Sequence, residues 1–230
     1  MQNNEKITYI KEVFKSIQGE GPYVGVEQIF IRFCKCNLAC AYCDTNFRPD
    51  VNTPRMSTSQ LKEYLEEIGT HNIHSISLTG GEPLLDAAFI KEFSEKLPYK
   101  IYLETNGTLS SELKKVIKHI SFISMDIKLD SSTKLGNMLK KHKEFIKICV
   151  KNKKEIFLKV VFDESITNDE IDKCIELAEK YKLLIVLQPV MIEDKMRITP
   201  QELIEIHSNF IKKYGNIRLI PQVHKFIKVE

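Results

Sequence analysis

Three cysteines fall within one short run, Cys36-Asn37-Leu38-Ala39-Cys40-Ala41-Tyr42-Cys43. Thiolates are the ligands of iron–sulfur clusters, and three of them from one loop can hold three irons of a four-iron cluster, leaving the fourth open to a small chelating molecule. A rival chemistry adds Cys34 as a fourth donor, since structural zinc closes its tetrahedron with four protein ligands. Two features count against zinc: Cys34 falls inside an expected strand, and zinc cysteines come more often as paired knuckles. Cys149 and Cys174 lie among helical apolar positions and read as small core fillers. Further along, Thr79-Gly80-Gly81-Glu82-Pro83 closes an expected strand before an expected helix. Paired glycines there let the backbone approach a ligand closely, although an ordinary strand-to-helix turn has the same composition.

The scaffold for these residues is written in the alternation of β-branched, aromatic segments with segments of helical period. Strands are expected over Ile29 to Cys34, Ser75 to Thr79, Ile101 to Glu104, Phe122 to Ile127, Ile156 to Phe162, Leu183 to Leu187 and Ile217 to Ile220. Helices between them are expected to be capped by Thr58, Asp86, Ser110, Asn168 and Thr199, and to end near Gly69, Leu97, His119, Tyr181 and Gly215. Helices of this length between short strands make parallel βα units. The expected fold is therefore α/β, a partial, abbreviated (βα)6-type barrel with parallel strands, in one domain over residues 1–230. Strand alternation sends polar residues to one face, and at the carboxyl ends of barrel strands that face is the mouth of the site. Asn106, Ser124 and Gln188 are expected there on the side of a cofactor, with Lys128 and Lys159 as further polar candidates.

The chain has 230 residues, 43% hydrophobic and 28% charged, the profile of a globular protein whose core needs no disulfide scaffold. A formal net charge of +3 is too small to require a polyanionic partner, so no nucleic acid is expected, and Lys140 to Lys143 and Lys151 to Lys154 read as solvated surface. No apolar stretch approaches membrane-spanning length; the longest aliphatic run, Leu183 to Leu187, reads as a buried strand. Met1 to Lys6 is polar and lacks the apolar segment of a secretory signal. A cytoplasmic location is expected, where clustered cysteines stay reduced and point to metal or catalysis.

The spacing C-x3-C-x2-C, with the aromatic Tyr42 before its last cysteine, resembles the radical S-adenosylmethionine superfamily. The resemblance implies a 4Fe-4S cluster on Cys36, Cys40 and Cys43 whose open iron takes the amino and carboxylate groups of S-adenosylmethionine, with Tyr42 on the cofactor side. A glycine-glycine-glutamate-proline stretch in that superfamily binds the methionyl amino group, which implies the same role for Gly80, Gly81 and Glu82. Four flanking segments narrow the match: Ser16-Ile17-Gln18-Gly19-Glu20-Gly21, Ile31-Arg32-Phe33, Cys43-Asp44-Thr45 and His224-Lys225-Phe226 resemble the 7-carboxy-7-deazaguanine synthase family of queuosine biosynthesis. That resemblance implies conversion of 6-carboxy-5,6,7,8-tetrahydropterin to 7-carboxy-7-deazaguanine with loss of ammonia, in a homodimer supplied by an electron donor such as flavodoxin or ferredoxin. It also implies substrate contacts from Gln18, Glu20, Arg32, Thr79, His224 and the terminal carboxylate of Glu230, and Mg2+ at Thr45.

Each role suits its residue. Arg32 alternates with Ile31 and Phe33, so it can face inward, where a planar guanidinium grips a carboxylate through two parallel hydrogen bonds. Gln18 and Glu20 have the donors and acceptors to read the guanidine-like edge of a pterin, and Thr45 offers magnesium a hard oxygen. In one departure, Lys35 stands before Cys36 where the family commonly has glycine. Two alternatives remain open: a glycyl-radical enzyme activating protein, which would present an open groove, and a zinc-binding interaction module.

Overall fold

The computed structural model describes residues 5–41, 43, 48–95, 97–192 and 195–229. Its strands are β1 (Ile7–Ile17), β2 (Glu27–Phe33), β3 (Arg55–Ser57), β4 (Ser75–Gly80), β5 (Ile101–Thr105), β6 (Ile120–Ile127), β7 (Glu155–Phe162), β8 (Ile185–Pro189), β9 (Met191–Ile192), β10 (Lys195–Met196) and β11 (Ile217–Leu219). The helices are α1 (Thr58–Ile68), α2 (Ala87–Ser94), α3 (Ser110–Val116), α4 (Asp130–Thr133), α5 (Leu139–Lys151), α6 (Asn168–Glu179), α7 (Pro200–Ile211) and α8 (Val223–Ile227). Nine strands form one sheet in the order β3-β1-β2-β4-β5-β6-β7-β8-β11. From β2 to β11 every pairing is parallel, with a helical crossover between successive strands. The sheet is an incomplete barrel, bounded by the edges β3 and β11.

Helix starts follow local chemistry. Ser57, Thr167 and Thr199 each accept a hydrogen bond from the backbone N–H three residues on, and the side chains of Gln60, Glu170 and Glu202 accept one from the backbone N–H of the cap, closing three reciprocal capping boxes. Thr199 is the expected cap; Ser57 and Thr167 take the places expected of Thr58 and Asn168, one residue earlier. Asp86 precedes α2 without a side-chain capping bond, its carboxyl being bonded to Thr8 instead, and Ser110 is the first residue of α3 rather than its cap.

β1 was not expected from the sequence. It runs antiparallel to β2 and carries β3 on its far side, widening the sheet beyond the parallel strands. Its pattern of burial is irregular, and a register shift between Ile10 and Glu12 breaks the alternation that would announce a strand.

The parallel strands are buried on both faces. Ile29, Ile31, Leu78, Leu103, Ile123, Leu158 and Leu187 point outward into the main core beneath the helices. The other parity points into the barrel, where Tyr102, Phe122, Phe157 and Val186 make a smaller apolar floor. The connection from β1 to β2, residues 18–26, folds under this floor. Tyr23 inserts against Tyr102, Phe122 and His74 with ring centroids 5.7, 5.0 and 5.0 Å away. This plug packs beneath the floor, and the cavity lies above it.

Candidate active site

One rung above the aromatic floor, the inward positions turn polar: Arg32 on β2, Thr79 on β4, Glu104 on β5, Asp126 on β6, Lys159 on β7 and Gln188 on β8 line a cavity of about 460 Å3. Cys36, Cys40 and Cys43 lie on the wall of the same cavity, with Gly80, Gly81 and Asn106; Gln18, Glu20 and His224 come to it from the plug and from α8. Tyr42, Thr45 and Glu230 fall outside the described residues.

The cysteine loop is held by the expected Asn106 and by two residues with no expected role, Asn37 and His142. Asn106 Nδ2 donates to Asn37 Oδ1 at 2.9 Å and Asn37 Nδ2 to Thr108 Oγ1 at 2.9 Å, while Asn106 Nδ2 stands 4.0 Å from Cys36 Sγ. His142 braces Asn106 from behind, its Nε2 lying 3.2 Å from the Asn106 carbonyl oxygen; burial pushes this histidine down to about 4, which keeps it neutral. The backbone N–H of Ala41 donates to Thr133 O of α4 at 3.1 Å. Asn37 lies between two cysteines, which was the available signal; His142 carried none, because its partner is 36 residues away.

Gly80 and Gly81 serve a close approach, and what approaches is the chain itself. A Cβ on Gly81 would stand 1.8 Å from the Lys35 carbonyl oxygen, and one on Gly80 2.3 Å from that of Phe33. Lys35, at the root of the cysteine loop, has φ 69°, the left-handed conformation in which glycine is at ease. Glu82 does not line the cavity. Fully buried, it accepts hydrogen bonds from Leu84 N, Thr105 Oγ1 and Asn106 N, so it fastens the end of β5 rather than meeting a ligand directly. Ser124 is likewise below the cavity, bonded to Tyr102. Gln188 lines the cavity, and its Oε1 is buried with no hydrogen-bond partner among the described residues, an acceptor placed for a donor from a ligand.

On the opposite side, Gln18 Nε2 donates to Glu104 Oε1 at 3.2 Å and to Gln28 Oε1 at 3.0 Å, and Thr79 Oγ1 donates to Glu104 Oε2 at 2.9 Å. Burial raises Glu104, with Lys159 opposing. Glu20 accepts from Lys159 Nζ at 2.5 Å and from Gln222 Nε2 at 2.7 Å. Burial alone would raise Glu20; the charge and hydrogen bond of Lys159, with Gln222 and His224, bring it down to about 2. Arg32 donates through Nε to Glu12 at 2.5 Å, with its guanidinium carbon 5.5 Å from the Phe14 ring centroid. His224 packs on Gly19, Val223 N donates to Gly19 O at 2.9 Å, and burial lowers the histidine, with Glu20 opposing. Glu104 was visible as the end of a strand but did not stand out as a site residue, since its partners lie on two other elements.

The donor set fits a cluster better than a zinc ion. Cys34 is buried in the core and away from the cavity lined by the other three, so it cannot complete a tetrahedron with them. Burial pushes the Cys36 and Cys40 thiols up, an environment in which metal charge is needed to hold them as thiolates.

A family model described as the Radical SAM superfamily matches residues 30–206. The chain is 34% identical to the 7-carboxy-7-deazaguanine synthase of Geobacter sulfurreducens, over 95% of this chain and 96% of that protein. Its fold is similar to that of the crystal structure of QueE from Escherichia coli, with a TM-score of 0.64 at 19% identity over 95% of each chain. It is also similar to native anSMEcpe with bound AdoMet and Kp18Cys peptide, with a TM-score of 0.63 at 17% identity over 83% of this chain and 63% of that one. By the extent of these matches, and with three cysteines, a glycine pair and strand-end polar groups on one cavity, the chain belongs to the 7-carboxy-7-deazaguanine synthase family of radical S-adenosylmethionine lyases.

Proposed function

We propose that this protein rearranges 6-carboxy-5,6,7,8-tetrahydropterin to 7-carboxy-7-deazaguanine and ammonia. The observation that carries the reading is that Arg32 and His224, far apart in the chain, line the cavity that also holds Cys36, Cys40 and Cys43 above a plugged floor. An activating protein for a macromolecular backbone would need an open groove at that place. When bound, a 4Fe-4S cluster and S-adenosylmethionine supply hydrogen-atom abstraction; the protein's task is to place the substrate and exclude water.

Cys36, Cys40 and Cys43 hold the cluster, and Gly80, Gly81, Asn106 and Gln188 flank the cofactor. Arg32 receives the substrate carboxylate on its terminal nitrogens, its Nε being held by Glu12. Gln18, Glu20, Thr79 and Glu104 read the ring, and His224 closes over it from α8. Thr45 binds Mg2+ and the Glu230 carboxylate meets the ring, both on residues outside the described ones. The working protein is a single-domain cytoplasmic homodimer reduced by a flavodoxin or ferredoxin. The described part contains no helix long and apolar enough to cross a membrane.

The test is anaerobic incubation of cluster-reconstituted protein with reductant, S-adenosylmethionine and the carboxypterin. Formation of the deazaguanine acid is expected by mass analysis, and Arg32→Lys is expected to lower kcat/KM by about tenfold or more, because a point charge cannot reproduce the planar grip. Cofactor cleavage without this product from the intact enzyme overturns the assignment.

A further inference from the structure

Lys159 has no part in the reading above, yet it is a cation of the cavity held by several acidic groups. It is buried, with Nζ 2.5 Å from Glu20 Oε2 and 3.2 Å from Asp126 Oδ1. Asp126 is shared with Lys128 at 2.8 Å, and Glu104 on β5, two strands from Lys159, adds a third acidic group acting on it. A buried ammonium is costly unless paired. Here its acidic partners come from three separate elements, and the one at closest range, Glu20, belongs to the plug rather than to the barrel wall.

We propose that Lys159 is a positioning residue, which fixes the Glu20 carboxylate in its ionised form at one place on the cavity floor so that Glu20 can accept N–H donors from a bound heterocycle. The proposal rests on the substrate role given to Glu20 above. A carboxylate has about four acceptor positions, and Lys159 and Gln222 occupy one on each oxygen, leaving others for a ligand. A protonated Glu20 would instead turn an O–H toward ring donors. The charged groups around it are Lys159 and Asp126 on the barrel wall, Glu104 on β5 and His224 on α8, with Lys128 acting on Asp126 and Arg32 on His224. Without Lys159, burial and the two neighbouring carboxylates would draw a proton to Glu20.

The experiment titrates full-length protein carrying 13C-carboxyl glutamate by NMR, with the Glu20 signal assigned by its loss in Glu20→Gln, alongside the pH dependence of KM and kcat for the reconstituted enzyme. In the parent, Glu20 should stay ionised to the acid limit of folding. In Lys159→Met it should titrate within about two units of neutrality, and in Lys159→Arg it should again stay ionised. KM of Lys159→Met should rise about tenfold as pH falls through that titration, with kcat changing less. Lys159→Gln keeps a donor to Glu20 without the charge, and serves the same purpose where the methionine variant fails to fold. A Glu20 signal that titrates as in the parent in either uncharged variant overturns the proposal. A titration that moves while KM does not follow, together with an unchanged KM in Glu20→Gln, instead removes the substrate role of Glu20 and leaves the hold of Lys159 on it intact.

Discussion

The two carboxylate oxygens of Glu82 accept hydrogen bonds from Leu84 N at 3.1 Å, Thr105 Oγ1 at 2.9 and 3.0 Å and Asn106 N at 2.8 Å, with no exposure to solvent. Burial pushes this acid up to about 7 from an ordinary value of 4.5, although those bonds pull the other way. Between the two values the folded protein keeps a proton that the unfolded chain has released. The stability contributed by protonated Glu82 is therefore full below about 4.5 and is lost as pH rises through about 7. Glu82→Gln should flatten that section of the stability profile measured by urea denaturation. It should also cost about 1–3 kcal/mol, since an amide nitrogen would face the Asn106 N–H with no acceptor to offer. A slope retained in the variant would assign the pH dependence to another group. The consequence for the site is indirect: Glu82 sets Asn106, and Asn106 sets the cysteine loop.

At the scale of elements, the end of β4 and the root of the cysteine loop are packed backbone to backbone. Gly81 N donates to Phe33 O at 3.1 Å and Glu82 N to Lys35 O at 2.9 Å, so the loop leaves β2 along a rail provided by the glycine pair. Gly81→Ala would drive a methyl group into the Lys35 carbonyl, which is backbone and cannot swing aside. Iron bound per chain after anaerobic reconstitution should fall several-fold, while the far strands β7 and β8 keep their hydrogen-exchange protection; normal iron content in the variant would show that the loop tolerates the shift. The same elements show what a sequence can announce. The parallel strands from β2 to β8 were legible because outward apolar residues alternate with inward polar ones such as Arg32, Lys159 and Gln188, and the start of α7 because its cap Thr199 and the reciprocal Glu202 lie within one turn. β1 was not legible, since a register shift splits its alternation. Nor was the bond between Glu20 and Lys159, 139 residues apart, because no local window contains both.

For the molecule as a whole, the incomplete barrel depends on its two terminal segments to define the cavity. The plug supplies Gln18 and Glu20 from below, and the segment leading to α8 lies across it, with Gln222 on Glu20 and Val223 on Gly19. Gly19 is the seat for that segment: a Cβ there would come within 2.4 to 2.6 Å of His224 Nδ1, Cβ and N. Gly19→Ala should therefore lift α8 off the plug and withdraw His224, raising KM about tenfold while cluster content and unfolding midpoint change little. Removal of residues 223–230 should produce the same loss by taking away the segment itself. Because both changes break one contact, the double variant should be no worse than the truncation alone, whereas independent sites would add. Additive losses would mean that Gly19 acts on the plug and the tail acts on the substrate by separate routes. Non-additivity would make plug and tail a single lid-and-floor unit, through which an unclosed sheet obtains the enclosure that a complete barrel has from its own strands.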